Sequence, residues 1–268
     1  MQRLPPPPAH AAIAVVMLTP ACELRCSFCG AEEGFGVLGR LQARAMVEGL
    51  SMQGFESVVF GGGEPTLWPH GLRELCAAAR ARGLLTQIGT SAAKLPVDAA
   101  EWREVDRWVL PLESGKAEVH DALRSCEGGH HAKVLRALHG FALQGASVTV
   151  STVARRGAEE DLQSVGSLLE GLKRSGLRLH AWHVYRFQAM GRLGRLNGDR
   201  FALSDEEWAQ STGRLKQRFG KLPLLLRPDM MHSHDVAFFW NTPQGLWRQG
   251  PGGWQGLVET ETLGALSY

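Results

Sequence analysis

Short apolar runs alternate along this chain with longer amphipathic stretches. Residues 13–18, 57–60, 84–88, 107–112, 147–153 and 177–187 read as strands, by their apolar content and their β-branched and aromatic residues. Helical spacing fills 41–53, 70–82, 97–104, 130–144 and 159–174, and glycines such as Gly54, Gly83, Gly145 and Gly176 stand where helices stop. Six strand–helix alternations with short connections predict a parallel sheet covered on its outer face by crossover helices. The expected fold is α/β: a partial (β/α)6 TIM-like barrel over 13–188. Before it lies a Pro-rich tail over 1–12, expected to be disordered, and after it a short α+β cap or substrate segment over 189–268. In that last part Ser204 is a predicted N-cap for a helix to about Phe219. Residues 236–240 and 246–249 form a predicted hairpin.

Ligands of such barrels belong at the C-terminal strand ends. Cys22, Gly61, Thr90, Ser114, Thr152 and Gln188 each follow a predicted strand.

Charge adds little, since a formal net charge of +2 gives no reason to expect a nucleic-acid partner. The 11–18 apolar run is too short to span a bilayer, so no membrane role is expected. Thr19-Pro20-Ala21-Cys22 resembles a lipoprotein cleavage site, but the preceding prolines are a poor signal peptide and cleavage there would waste two cysteines. The expected compartment is the cytoplasm.

The cysteines change the picture more. Three of the five, Cys22, Cys26 and Cys29, have C-x3-C-x2-C spacing on one loop. A disulfide scaffold spreads its cysteines, and structural zinc usually takes four ligands in two pairs. Cys76 lies in a predicted helix and Cys126 stands alone, so no second pair completes a zinc site. Three thiolates without a fourth suit an iron–sulfur cluster with one open iron. Gly61-Gly62-Gly63-Glu64-Pro65 ends the second strand, and such glycines let backbone approach a ligand. Alone, this turn is equally an ordinary tight turn.

Together, the two motifs resemble the radical S-adenosylmethionine (SAM) superfamily over about residues 13–188. The resemblance implies a [4Fe–4S] cluster on Cys22, Cys26 and Cys29, with SAM on its open iron. It also implies that Gly62, Gly63 and Glu64 hold the methionyl amine and that Phe28 lies near the adenine. Ser114 is placed for the ribose or carboxylate, or else caps a helix. Arg124 matches an arginine that pairs with the SAM carboxylate, or else is a solvated helix end. Ser151 and Thr152 reach the ribose or satisfy backbone. The stretch 180–188 with Arg200-Phe201 and Ser204-Asp205-Glu206-Glu207 is similar to the viperin-like and molybdenum-cofactor-cyclase-like branch. The loop that is lysine-rich in viperin-like enzymes here reads Gly128-Gly129-His130-His131-Ala132-Lys133, which dilutes the charge a triphosphate needs.

Substrate candidates are His130, Lys133, Arg155, Arg156, Arg192 and Arg195. Tyr185 is a candidate hydrogen-atom donor. Trp240, Trp247 and Trp254 are expected to pack the C-terminal segment over the barrel end. No cysteine follows Cys126, so no auxiliary cluster is expected.

The implied activity is reductive SAM cleavage followed by hydrogen abstraction from a small polar or anionic substrate, nucleotides included. A one-electron donor such as flavodoxin or ferredoxin would feed it. A peptide- or protein-modifying enzyme is the alternative, and a non-catalytic zinc or Fe–S module a distant one.

Overall fold

The computed structural model describes residues 12–31, 34–125, 129–230, 233, 235–243, 245–250 and 253–258. The Pro5–Pro8 run, Cys126, Gly128 and the Trp254 side chain lie outside the described residues.

Ten strands form one sheet: β1 (Ile13–Met17), β2 (Ser57–Gly61), β3 (Leu85–Gly89), β4 (Arg107–Pro111), β5 (Ser147–Ala154), β6 (Arg178–Arg186), β7 (Leu224–Arg227), β8 (Val236–Thr242), β9 (Gly245–Gly250) and β10 (Gly253–Val258). Their order is β10-β9-β8-β1-β2-β3-β4-β5-β6-β7. Pairing is parallel from β8 through β1 to β7, and β9 and β10 add antiparallel strands at one edge. The sheet is open, as a partial barrel requires.

The helices are α1 (Arg40–Met52), α2 (Leu72–Ala81), α3 (Ala117–Arg124), α4 (His130–Leu143), α5 (Glu159–Arg174), α6 (Gly191–Gly194), α7 (Gly198–Phe201) and α8 (Asp205–Phe219). Alternation sends one strand face to the helices and the other to the barrel interior. Val16, Val58, Phe60, Ile88, Trp108 and Val150 point outward into the main core and are buried. Trp108 stacks on Phe141 of α4 with ring centroids 4.9 Å apart.

Three differences from the sequence reading have physical causes. Residues 97–104 give only a 3-10 turn at Ala99–Glu101, because the acidic and aromatic side chains there tie to neighbours instead of forming an apolar stripe: Glu104 and Asp98 both pair with Arg73. The segment after residue 188 does not simply cap the barrel. β7 extends the sheet beyond β6, and β8 returns to pair with β1, so both edges of the barrel sheet come from this segment. Finally α3, unassigned in the sequence, is a two-turn helix too short for a periodic signal. Ser204 does cap α8, in a reciprocal box with Glu207.

Candidate functional site

A cavity of ≈ 590 Å³ occupies the barrel interior, lined from the strand starts at Ile13, Arg107 and Val236 to the loops after the C-terminal strand ends. Cys22, Cys26 and Cys29 all line it, on the loop between β1 and α1. Burial pushes the Cys22 thiol up to about 11 and raises Cys26 as well, although the Arg124 guanidinium opposes the rise at Cys26. Both thiols are therefore protonated at neutral pH until a metal displaces the proton.

The turn after β2 is knitted onto this loop. The Gly63 N–H donates to Thr19 O at 2.7 Å and the Glu64 N–H to Ala21 O at 2.7 Å. Gly62 has φ +138°, and a Cβ there would stand 2.5 Å from Thr19 O. A Cβ on Gly63 would strike the Pro20 and Ala21 carbonyls. Only glycine lets the two loops touch, and both glycines face the cavity.

Glu64 is fully buried and does not line the cavity. Its carboxylate accepts from Thr66 N and Oγ1 at 3.1 and 2.8 Å, Thr90 Oγ1 at 2.7 Å and Ser91 N at 2.7 Å. The side chain thus locks the β2 turn to the β3 turn.

Arg124 ends α3 beside the cysteines. Its Nη1 lies 3.8 Å from Cys26 Sγ, its guanidinium sits 5.2 Å from the Phe28 ring centroid, and its Nη2 pairs with buried Glu113. Glu113 also accepts from Val153 N at 2.9 Å. Phe28, Arg124, Ser151, Tyr185 and Arg192 all line the cavity. Arg192 approaches the Leu24 carbonyl at 3.5 Å. Its loop buttresses the cysteines: Gly194 N–H donates to Cys29 O at 3.1 Å, and Gly191, at φ +70°, has Cys29 O and Ala31 O each 2.7 Å from where a Cβ would be.

Other predicted site residues lie elsewhere. Ser114 is buried, with its hydroxyl donating to Asp161 Oδ1 at 2.8 Å and accepting from Lys116 N at 3.0 Å. Thr152 donates to Leu112 O at 2.7 Å and accepts from Trp182 Nε1 at 2.9 Å. Pleating turns it away from the cavity, whereas its neighbour Ser151 faces inward. Arg155 is spent on Asp161 at 2.7 Å, and Arg156 reaches the Asp199 carbonyl at 3.0 Å. Lys133 and Arg195 are not among the cavity-lining residues. Trp240 lines the cavity, with Trp247 packed against its cluster.

His130, expected as a substrate residue, is fully buried in a histidine pair instead. A carbonyl can only accept, so His130 Nε2–H donates to Ser91 O at 2.8 Å. His130 Nδ1 then accepts from His120 Nε2–H at 2.8 Å, and His120 Nδ1 accepts the Glu113 N–H at 3.1 Å. Burial, with Arg124 nearby, pushes His120 down to about 2 and His130 to about 4, so both rings are neutral. The pair braces the β4 and β3 turns behind Arg124. Nothing in the local pattern marks His120.

The sequence also misses a dispersed basic set: Arg107 on β4, His180 and His183 on β6, and Arg227 on β7 all line the cavity. A bulge between Val148 and Thr149 in the β5–β6 pairing leaves His180 opposite no β5 residue and re-aims β6. Tyr185 Oη meets His183 Nδ1 at 3.0 Å. Burial raises the Tyr185 phenol to about 12 and lowers His183 to about 4, the latter with help from Arg227.

Three thiols on one loop, beside a glycine cradle with no room for a Cβ, fit a three-thiolate cluster with an open coordination position. No helix among the described residues is long and apolar enough to cross a membrane.

Comparison with known proteins agrees. The chain is 28% identical over 164 residues to Fe-coproporphyrin III synthase of Methanosarcina barkeri, covering 59% of this chain and 41% of that protein. It is 36% identical over 85 residues to the S-adenosylmethionine-dependent nucleotide dehydratase of Flammeovirga pacifica, covering 29% of each. The crystal structure of Streptococcus suis SuiB bound to precursor peptide SuiA superposes with a TM-score of 0.65 at 16% identity, covering 83% of this chain and 50% of that one. The chain thus spans half or less of each of these proteins. The radical SAM superfamily profile matches residues 16–163, more than half of the chain. With its cysteine loop and glycine cradle joined at one cavity, this chain belongs to the radical SAM superfamily, whose enzymes use a [4Fe–4S] cluster and SAM.

Proposed function

We propose that this protein abstracts a hydrogen atom from a small anionic substrate, nucleotides included, held in the barrel cavity. The observation that carries this reading is a single cavity lined at one end by Cys22, Cys26, Cys29, Gly62 and Gly63, and along its length by side chains with no thiol or carboxylate among the described residues. When bound, the cluster and SAM supply reductive carbon–sulfur cleavage and a 5′-deoxyadenosyl radical. The chain's own residues hold and shield. Cys22, Cys26 and Cys29 would ligate the cluster. The Gly62–Gly63 backbone would cradle the methionyl end of SAM, with Glu64 fixing that backbone from behind. Phe28, Arg124 and Ser151 would border the rest of SAM. Leu24, Met17 and Trp240 contribute apolar lining, which would help shield a reactive radical from water. Tyr185, protonated at neutral pH and held by His183, presents a hydrogen-bearing group to the cavity.

The electron would come from an external one-electron donor such as flavodoxin or ferredoxin, in the cytoplasm. The likeness to peptide-bound SuiB concerns the fold, and a peptide substrate is the competing outcome. The test is an anaerobic reaction of reconstituted protein with reductant, SAM and deuterated candidates. Deuterium in 5′-deoxyadenosine from a small anion supports the reading; transfer only from a peptide overturns the substrate class.

A further inference from the structure

The cavity has two unlike walls. On β8, β1 and β2, Phe238, Val15 and Val59 sit in one register row, and Phe238 stacks toward Trp240 at 6.4 Å between centroids. On β4, β6 and β7 stand Arg107, His180, His183 and Arg227. No aspartate or glutamate lines the cavity among the described residues. Three of its arginines are engaged: Arg124 with Glu113, Arg186 with Asp205 at 2.6 Å, and Arg192 against the Leu24 carbonyl. Arg107 and Arg227 have no carboxylate within ion-pair distance among the described residues. Arg107 touches only Gln87 Oε1 at 3.4 Å, Gln87 is itself anchored to Ser57 Oγ at 2.7 Å, and Arg107 Nε is buried without a partner.

A guanidinium partly desolvated without an ion-pair partner is unfavourable; the adjacent Asp106 offsets this only in part for Arg107, being itself paired with Arg80, and a ligand oxyanion relieves it. Arg107, Arg227 and His183 line one cavity, Arg227 standing opposite Tyr185 in the β6–β7 register two residues from His183, and burial first, then Arg227, His180 and Arg107, keep His183 neutral. A neutral His183 can donate to an oxyanion without adding repulsion.

We propose that Arg107 and Arg227, assisted by His183, form the anion-binding wall of the substrate pocket, and that the substrate is an amphipathic organic acid whose apolar body rests on Val15, Val59 and Phe238. The planar fork of arginine suits carboxylate and phosphate alike. This site deepens the proposed function and rests on it only for the word substrate; the binding claim stands separately.

The test is calorimetric titration of the cluster-reconstituted full-length protein with phenylacetate, phenyl phosphate and neutral phenethyl alcohol. At least one anion should bind about tenfold or more tightly than the alcohol, and the tighter anion identifies the oxyanion read. Arg107→Gln and Arg227→Gln should each bring anion and alcohol to within about threefold of one another. If Arg107→Gln fails to fold, Arg227→Gln on the half-buried edge strand carries the comparison, with Arg107→Lys expected to keep part of the preference. Equal binding of anions and alcohol, no binding of any probe, or a preference that survives Arg227→Gln overturns the site. Protein that forms 5′-deoxyadenosine but shows no anion preference loses this wall and keeps the enzyme. Protein with the preference but no SAM cleavage does the reverse.

Discussion

The two ends of one cavity are built in opposite ways. The cysteine end is local: the loop after β1 and the turn after β2 touch through backbone hydrogen bonds, and the contact leaves no room for a Cβ on Gly62 or Gly63. The basic wall is distributed: Arg107, His183 and Arg227 come from three strands and line the same cavity because pleating turns them inward. The first arrangement is rigid and tolerates little change in sequence. The second keeps charge without a built-in partner, as a binding surface does and a stability element does not.

The largest expected effect lies at the cysteine end. Cys26→Ala removes one of three thiols, and iron should fall well below the roughly four per chain of a [4Fe–4S] protein, with SAM cleavage lost, as iron analysis and product chromatography would show. Glu64→Ala should come next. Four hydrogen bonds to a buried carboxylate disappear and the β2 and β3 turns separate, so we expect about 3 kcal/mol or more of lost stability in denaturant unfolding, together with poor cluster loading. Should Glu64→Ala unfold like the parent, the cradle would not depend on that lock.

A pH effect distinguishes the brace from the wall. His120 and His130 are held below their ordinary value of 6.5, so the folded state prefers them neutral. Their stabilisation is complete above about pH 6.5 and is lost as pH falls toward about 4, because the unfolded chain takes up protons that the folded pair resists. His130 alone should account for a loss on the order of 3 kcal/mol across that window, with His120 adding to it and continuing toward lower pH, and the slope should flatten in His130→Gln. An unchanged acid slope in that variant would mean the pair contributes nothing. The smallest effect belongs to Lys133→Ala, which should stay within about 0.5 kcal/mol of the parent and leave anion binding unaltered, since Lys133 does not line the cavity.

The sequence reading succeeded where information is contiguous. Residues 159–174 formed the predicted helix at both ends, and the three loop cysteines line one cavity with Gly62 and Gly63. It lost accuracy where one residue's direction decides. Ser151 and Thr152 are adjacent, yet one faces the cavity and the other bonds Leu112 and Trp182. Arg155, which looked free in the sequence, is neutralised by Asp161 six residues on. His130 looked like a loop residue and is instead locked to His120 by hydrogen bonds that only the packed α3–α4 pair creates. Arg107 and Arg227 begin and end ordinary apolar strands, and no short motif links them.

The central claim is that the three cysteines and the glycine cradle make this cavity a site of SAM cleavage. The most direct measurement is 5′-deoxyadenosine formed by anaerobically reconstituted protein with dithionite and SAM, parent against Cys26→Ala. The account predicts product from the parent and none from the variant; equal product from both would contradict it.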